Sequence, residues 1–410
     1  MGFGIDVKKY AKKIGQEQPD WSQGEEILDV YLVPIDKLYY NDDNGRIATW
    51  ISSYLDIANQ PKLNELSQEE YNNKLHEFIK KSNTPDSFKK TLNDIRLKGQ
   101  IRPGVVLSDG RVVSGNRRFT VLRELYKETG NDKFAFFKCF IIDKDLSKED
   151  DRKYIKTIER LTQFGVDEKV DYDPIARLVD IYNDLLGPNK IWSIQEYSRK
   201  LQLKLRDVIL MCNKASIMVD YLNYINMPNK FYIARKQKLD GPLQELAKIY
   251  PKVSRQEWNR IRVVFYSVLP ERGDTTRTVR DLIKVYNNNS SKFNELIEKC
   301  INDIEEQEIK IIESKNETII KEPNVIKESL SDQEEQTILS YDTKKEIFDA
   351  TNSAKLEENR QAKVEKLFKS IDTLLLSLPD TYEIMIESEK KKLMNRINEL
   401  EKVLIIFKGE

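Results

Sequence analysis

Residues 105–125 constrain the fold more than any other stretch, because they join a β-hairpin to a helix with almost no linker. Residues 105–107 and 112–113 are rich in valine and flank the turn Ser108-Asp109-Gly110. An Asp-Gly dipeptide between β-branched pairs is a strong short-range hairpin signal. A small sheet is therefore expected at this point of the chain.

A helix should follow the hairpin at once. Phe119, Leu122 and Leu125 recur at i, i+3 and i+6, which is the spacing of one helical face. Ser114 and Asn116 are residue types that cap helix starts. The order is therefore strand, glycine and helix N-terminus.

This turn has the features of an anion site. A helix N-terminus presents backbone N–H groups and a positive dipole end, and Gly115 lets a ligand approach the backbone. Cations in a first helical turn are disfavoured unless an anion neutralises them, so Arg117 and Arg118 favour a phosphate ligand. The alternative is a structural turn beside two solvated arginines. The predicted phosphate-binding residues are Ser114, Gly115, Asn116, Arg117 and Arg118.

Charge and cysteine usage narrow the protein class. The 410 residues carry 68 basic and 68 acidic side chains, so net charge alone does not indicate nucleic acid. Locally, however, residues 89–123 contain nine basic and two acidic residues, which predicts an electropositive surface. Three scattered cysteines and the single His76 argue against a disulfide framework or a zinc site. We expect His76 to be solvated or half-packed.

The N-terminus lacks an apolar signal core and no run approaches a transmembrane length, so we expect a cytoplasmic protein without membrane partners. We expect an α+β N-terminal domain followed by mostly α-helical domains. The predicted divisions are a polar, loosely attached arm over 1–28, an α+β domain over 29–150 with a helical insertion at 47–84, a helical domain over 151–290, an acidic linker over 300–345 and a C-terminal helical hairpin over 350–408.

A helix-turn-helix is predicted at 193–219. Ser193 caps a helix through Leu201, and a second helix runs from Leu205 to about Val219 with Leu205, Val208, Ile209, Cys212 and Ala215 on one face. Base contacts are expected from Lys204, Arg206 and Asp207, and phosphate contacts from Arg199, Lys200 and Lys214. The alternative is an ordinary pair of core helices.

The C-terminal region carries two apolar stripes, separated by a break at Pro379-Asp380. They comprise Val364, Leu367, Ile371, Leu374 and Leu378, then Leu393, Ile397, Leu400, Leu404 and Phe407. Neither helix can bury its stripe alone, so they either form a hairpin or dimerise, and we favour a homodimer.

Several of these segments resemble the ParB family of chromosome and plasmid partition proteins. Gly115-Asn116-Arg117-Arg118 is similar to its Gly-Glu-Arg-Arg box, and Gly99-Gln100-Ile101-Arg102-Pro103 to its Gly-x-x-Gln-Pro segment. The opening strand near Val33, with Asn44 and Arg46, and the helix-turn-helix follow the same order. The resemblance spans roughly residues 33–286 and implies a ParB/sulfiredoxin-like nucleotide-binding domain.

The resemblance also implies ligands. The family binds cytidine triphosphate, which closes the dimer into a clamp on DNA, and ATP is the alternative nucleotide here. Gly99, Gln100, Arg102 and Pro103 would lie near the base or phosphates, with Arg102 in place of the family's glutamine. Glu159 corresponds to a glutamate that helps to hold Mg²⁺, although Arg160 and Gln163 depart from the family's Glu-Asn-x-x-Arg pattern. Double-stranded DNA, a partner ATPase and nucleoid association are implied as well.

Other functions stay open at this stage. A weak nucleoside triphosphatase such as a CTPase, or an ATPase or kinase on the same fold, needs only the phosphate turn and Glu159. Sulfiredoxin chemistry is excluded because Asn116 and Arg117 stand where cysteine and histidine are needed. A regulatory or defence component of a phage or mobile element, binding a protein through the insertion or the tail, is the third class.

Overall fold

The N-terminal part of the computed structural model is built on one six-stranded mixed sheet. The structure describes residues 3–22, 26–166, 172–271, 273–321 and 340–408. The strands are β1 (Lys12–Glu17), β2 (Leu28–Pro34), β3 (Tyr39–Tyr40), β4 (Gly104–Leu107), β5 (Arg111–Ser114) and β6 (Phe136–Ile142). Their order in the sheet is β1-β2-β6-β4-β5-β3. The pairs β4–β6 and β3–β5 are parallel and the other pairs are antiparallel.

Four helices accompany the sheet, and they are α1 (Ala48–Leu55), α2 (Gln68–Lys81), α3 (Pro85–Lys98) and α4 (Asn116–Thr129). The predicted hairpin, which is β4 and β5, and the helix that follows it, α4, are confirmed. Phe119, Leu122 and Leu125 of α4 are fully buried and share a core with Phe137 of β6. The three-residue spacing thus places these side chains on the face of α4 that packs against the sheet.

The rest of the described chain is helical. It comprises α5 (Glu149–Val166), α6 (Pro174–Ile181), α7 (Ile194–Lys200), α8 (Leu205–Tyr224), α9 (Phe231–Lys236), α10 (Asp240–Leu246), α11 (Arg255–Ser267), α12 (Thr275–Asn288), α13 (Ser290–Lys321), α14 (Tyr341–Ile384) and α15 (Glu387–Lys408). One π-helical turn, Tyr182–Leu186, extends α6. The predicted class, an α+β domain followed by mostly helical domains, is confirmed. None of the described helices combines the length and the hydropathy needed to cross a membrane.

The N-terminal arm differs from the prediction of a loosely attached segment. β1 pairs along β2 at the sheet edge, and Val7 is completely buried. Most β1 side chains are exposed, so backbone hydrogen bonds rather than apolar burial hold this strand in place. The polar composition of the arm gave no sign of that pairing.

The insertion at 47–84 contributes two helices, and the first of them joins the sheet part to the helical part. Ser52 of α1 donates a hydrogen bond to the Asn229 carbonyl at 2.9 Å, and Asp56 forms an ion pair with Lys230 at 2.7 Å. The guanidinium of Arg235 on α9 lies 3.4 Å from the ring centroid of Trp50. Part of the insertion therefore lies in the contact between the sheet part and the helical part.

The C-terminal region also departs from expectation in two places. α13 continues to Lys321, inside the stretch predicted to be an acidic linker, and residues 322–339 lie outside the described residues. Pro379 lies within α14, and the break between the two long helices falls instead at Met385 and Ile386. A proline removes one backbone hydrogen bond and commonly kinks a helix without ending it, which is why the predicted break at Pro379-Asp380 was wrong.

Candidate functional site

The turn from β5 to α4 depends on Gly115. This residue is the N-cap of α4 with φ of 92°, in the left-handed region that favours glycine. A Cβ at this position would lie 3.0 Å from the Phe137 ring and 3.3 Å from the Gly104 Cα atom. Gly115 therefore meets both a conformational and a packing requirement.

The predicted caps of α4 are not formed. Ser114 is the last residue of β5 and Asn116 is the first of α4, and no side chain in the described part of the chain caps this helix. The reason is that glycine, which has no side chain, occupies the cap position itself. The first N–H groups of the helix are consequently left for another acceptor.

A cavity of about 500 Å³ lies against this turn. Its lining contains all five residues predicted to bind phosphate, namely Ser114, Gly115, Asn116, Arg117 and Arg118. It also contains Gly99, Gln100, Arg102 and Pro103, which were predicted to lie near a base, and Glu159, which was predicted to hold a metal. Residues spread over 60 positions of the sequence, from 99 to 159, thus meet around one cavity.

Side-chain and backbone oxygen atoms orient the two arginines of the turn. Arg117 donates from Nε to the Asn83 side-chain oxygen at 2.5 Å. Arg118 donates from Nη1 to the carbonyls of Arg102 at 2.8 Å and Pro103 at 3.2 Å. These hydrogen bonds fix the position of the two guanidinium groups, and guanidinium groups are favourable partners for phosphate oxygens.

The loop 99–103 is braced on the sheet by Gln100. Its amide nitrogen donates to the Lys138 carbonyl at 2.7 Å, and its amide oxygen accepts from the Lys138 N–H at 2.8 Å. Gln100 therefore positions the loop. The side chain of Arg102 in this loop is largely exposed and lies 4.0 Å from Asp20.

Asn116 carries a polar atom that the surroundings leave unused. Its side chain is 7% exposed, and its Oδ1 has no hydrogen-bond partner among the described residues. Buried polar atoms are nearly always hydrogen-bonded, so this oxygen is an exception within a residue of the cavity lining.

The N-terminal arm supplies a wall of the cavity that the sequence analysis missed. Glu17, Gln18, Asp20 and Trp21 all line it, and the Trp21 ring packs edge-on against Phe140 with centroids 5.3 Å apart. The one sequence signal was Trp21 itself, a large aromatic residue in an otherwise polar stretch.

Glu159 belongs to a buried charge network between the sheet part and the helical part. Lys156 donates to Glu159 at 3.1 Å, while Arg160 binds Asp180 at 2.8 Å and Asp184 at 2.7 Å. Burial alone would lower the pKa of Arg160, but the two aspartates outweigh it and raise that pKa well above its ordinary value. Each buried cation in this network therefore stays charged.

A metal ion at Glu159, which the resemblance implies, does not fit this arrangement. The carboxylate is 1% exposed, and its Oε2 already accepts from Lys156. No group of three histidine, cysteine, aspartate or glutamate side chains in the described ranges is placed to hold a metal. Glu159 lies at the cavity, as predicted, but with an ammonium group as its partner.

The helix-turn-helix pattern corresponds to α7 and α8. Ser193 caps α7 by accepting from the Glu196 N–H, as predicted, and Glu196 completes the reciprocal cap. Gln202 stands where such turns often carry glycine, and it adopts φ of 54°. Five of the six predicted DNA-contacting residues are exposed, and they are Arg199, Lys200, Lys204, Arg206 and Asp207.

Lys214 and two apolar residues of α8 differ from expectation. Lys214 is buried and its Nζ lies 2.5 Å from Asp240, so it is not available for the predicted phosphate contact. Leu205 and Ile209, expected in the core, are each 43% exposed, while Val208, Cys212 and Ala215 are buried. Helical spacing alone does not reveal that Asp240, 26 residues further on, draws Lys214 inward.

His76 is half-buried, as expected, and lies between Tyr40 and Glu124. Its Nδ1 is 3.3 Å from the Tyr40 hydroxyl and its Nε2 is 3.3 Å from Glu124. Burial and the nearby Arg123 lower its pKa below 6.5, against the opposing effect of Glu124. It takes no part in the cavity lining.

The sequence matches no family model and no curated protein. Among solved structures, the chain is similar to one described as the C2221 form of a Pnob8-like ParB-N domain, at 15% sequence identity and a TM-score of 0.33. The match covers 66% of this chain and 97% of that chain. A similarity at this level assigns neither a fold nor a function.

Proposed function

We propose that this protein binds a nucleoside triphosphate in the cavity at the Gly115 turn and double-stranded DNA through α7 and α8. Cytidine triphosphate is the favoured nucleotide, because of the motif resemblance to ParB proteins, and ATP is the alternative. The nucleotide would control how the protein holds DNA, in partition or regulation of a plasmid, chromosome or phage. A cytoplasmic, nucleoid-associated location follows from that role.

The observation that carries the nucleotide proposal is the convergence at one cavity of an uncapped helix start and oriented arginines. The first N–H groups of α4, Arg117 and Arg118 border the same space. Backbone amides at a helix N-terminus together with guanidinium groups are a common phosphate-binding arrangement. The volume of about 500 Å³ lies within the range of small-molecule pockets.

The DNA proposal depends on the exposed N-terminal half of α8. Lys204 and Arg206 are charged and exposed at the start of this helix, and Leu205 and Ile209 add exposed apolar surface beside them. A recognition helix reads bases with its N-terminal residues, and apolar side chains there suit thymine methyl groups. Arg199 and Lys200 at the end of α7 would contact phosphates.

A homodimer through the C-terminal helices completes the proposal. Two copies of α7 and α8 would then face a site with approximate two-fold symmetry. A partner ATPase would act on that dimer, as the resemblance to partition proteins implies.

Calorimetric titration with each of the four ribonucleoside triphosphates tests the nucleotide site. We expect one of them, cytidine triphosphate first, to bind the wild type and to lose at least about tenfold in affinity in Arg117→Ala, which removes a charge-assisted contact. Arg96→Ala is the matched control, because Arg96 is an exposed arginine that pairs with Glu128 and lies outside the cavity lining. Equal affinity in Arg117→Ala and the control would contradict the assignment.

Fluorescence anisotropy with duplex DNA over a range of salt concentrations tests the DNA surface. Lys200→Ala should weaken binding on all sequences and reduce the slope of log affinity against log salt by about 1. Arg255→Ala is the control, because Arg255 is an exposed residue at the start of α11. A slope unchanged in Lys200→Ala and in a combined Lys204→Ala and Arg206→Ala variant would rule out this surface.

A further inference from the structure

Lys156 is fixed in place by three oxygen atoms next to the cavity. Its Nζ lies 2.8 Å from the Asp43 carbonyl, 2.8 Å from Asp43 Oδ2 and 3.1 Å from Glu159 Oε2. An ammonium group has three donors, so these three acceptors satisfy it completely. Its side chain is only 6% exposed, so water does not compete for these contacts.

This arrangement occupies the carboxylate that a divalent cation would need. Mg²⁺ takes oxygen ligands at about 2.0–2.1 Å in near-octahedral geometry, keeps several of its own waters, and is usually held by one or two protein carboxylates together with substrate phosphates. Glu159 Oε2 accepts from Lys156, and Glu159 Oε1 lies 3.8 Å from Arg160 Nη1. The ammonium of Lys156 therefore already occupies the position at this buried carboxylate that a metal ion would take.

Lysines pair with two of the three other acids of the cavity lining, and the third, Asp20, lies 4.0 Å from Arg102 Nη1. Glu17 pairs with Lys138 at 2.5 Å and Asp94 with Lys98 at 2.7 Å. Neither lysine, nor Lys156, belongs to the cavity lining. Lysines outside the lining thus offset three of its four acids, and four arginines belong to the lining itself. These are Arg46, Arg102, Arg117 and Arg118.

We propose that the cavity binds its nucleoside triphosphate without a divalent cation, with the fixed ammonium of Lys156 neutralising Glu159. The phosphates then contact the arginines of the lining and the α4 N-terminus. This inference rests on the proposed nucleotide site, and it concerns the form of the ligand that the site accepts: the free triphosphate in place of its magnesium complex.

Titration of the wild-type protein with cytidine triphosphate and ATP, in excess MgCl₂ and in excess EDTA, tests the inference. We expect the dissociation constant in EDTA to equal that in MgCl₂ within about threefold, or to be lower. A dissociation constant at least about tenfold higher in EDTA would overturn metal independence and leave the nucleotide site standing. No binding in either buffer would overturn the nucleotide site itself, so the two failures are distinct.

The variant Lys156→Met tests the residue assignment. Removing the ammonium leaves Glu159 with an available oxygen at the cavity, so nucleotide binding by this variant should become dependent on MgCl₂ by at least about tenfold. Circular dichroism and the melting temperature establish that the variant is folded. A folded variant whose binding remains as independent of MgCl₂ as that of the wild type would overturn the role of Lys156, and for an unfolded variant the wild-type titration decides alone.

Discussion

At the scale of single residues, Arg160 is a fully buried cation with two close carboxylate partners. It binds Asp180 and Asp184 within a fully buried network that joins α5 to α6 and the π-helical turn. A Cβ on Gly45 would lie 1.6 Å from Asp180 Oδ1, so even the backbone of the sheet part approaches this network closely. The network therefore lies at the boundary between the two parts and contacts both of them.

Arg160→Met should lower the free energy of unfolding by about 3–5 kcal/mol, because it leaves two buried carboxylates without their cation. Denaturant unfolding followed by circular dichroism measures this loss. Arg360→Met is the control, since Arg360 forms an exposed pair with Glu357 on α14 and such pairs contribute little. Similar unfolding midpoints for the two variants would show that the buried network is not stabilising.

His76 predicts the direction of a pH effect. Because its native pKa lies below 6.5, the unfolded chain binds more protons near pH 6, and stability should fall as the pH drops below about 6.5. His76 is the only histidine of the chain, so one Cε1 proton resonance reports its titration. A midpoint at or above about 6.5 would mean that the Glu124 interaction outweighs burial. In His76→Gln this part of the pH dependence should disappear.

At the scale of elements, α1 connects the sheet part to the helical part. Trp50→Ala removes the stacking of Arg235 on the indole ring and should loosen the contact between α1 and α9. Hydrogen exchange should become faster in residues 48–55 and 229–236, with the central strands unchanged. Leu97→Ala serves as the control, because Leu97 is 78% exposed on α3. Unchanged exchange in α9 would argue against this role.

The sequence predicted those elements whose information is local. The Asp-Gly turn, the spacing of Phe119, Leu122 and Leu125, and the Ser193 cap are short-range signals, and all three are confirmed. Features set by distant partners were missed. Lys214 turns inward to Asp240, and β1 is held by backbone pairing that polar side chains do not reveal.

The candidate site likewise combines features that are local in the sequence with features set by distant residues. Its turn could be predicted because glycine and two arginines follow a hairpin directly. The surroundings of Glu159 could not be predicted, because its partner Lys156 has the sequence pattern of an ordinary helix-surface cation. The other partner of Lys156, Asp43, lies 113 positions before it. Trp21 was the only sequence signal that the N-terminal arm lines the cavity.

At the scale of the whole molecule, the C-terminal helices expose an apolar surface that predicts self-association. Leu367, Ile371 and Leu374 of α14 are 58%, 41% and 61% exposed, and Leu400 and Leu404 of α15 are 60% and 47% exposed. Stripes of this kind on long helices are normally buried against another helix.

Leu374→Glu should therefore convert a dimer into a monomer, because it places a charge within the apolar stripe. Size-exclusion chromatography with light scattering measures the mass directly. Thr373→Glu adds the same charge at the neighbouring exposed position and should leave the dimer intact. A wild-type protein with the mass of a single chain would refute the proposed dimer.

The central claim is that the cavity at the β5–α4 turn is a triphosphate site. A crystal structure of the protein with a non-hydrolysable cytidine triphosphate analogue tests it most directly. We expect the phosphates to lie against the N–H groups of residues 116–118 and the guanidinium groups of Arg117 and Arg118, with the base between the loop 99–103 and the arm. A nucleotide bound elsewhere, or an empty cavity at saturating analogue, would contradict the account.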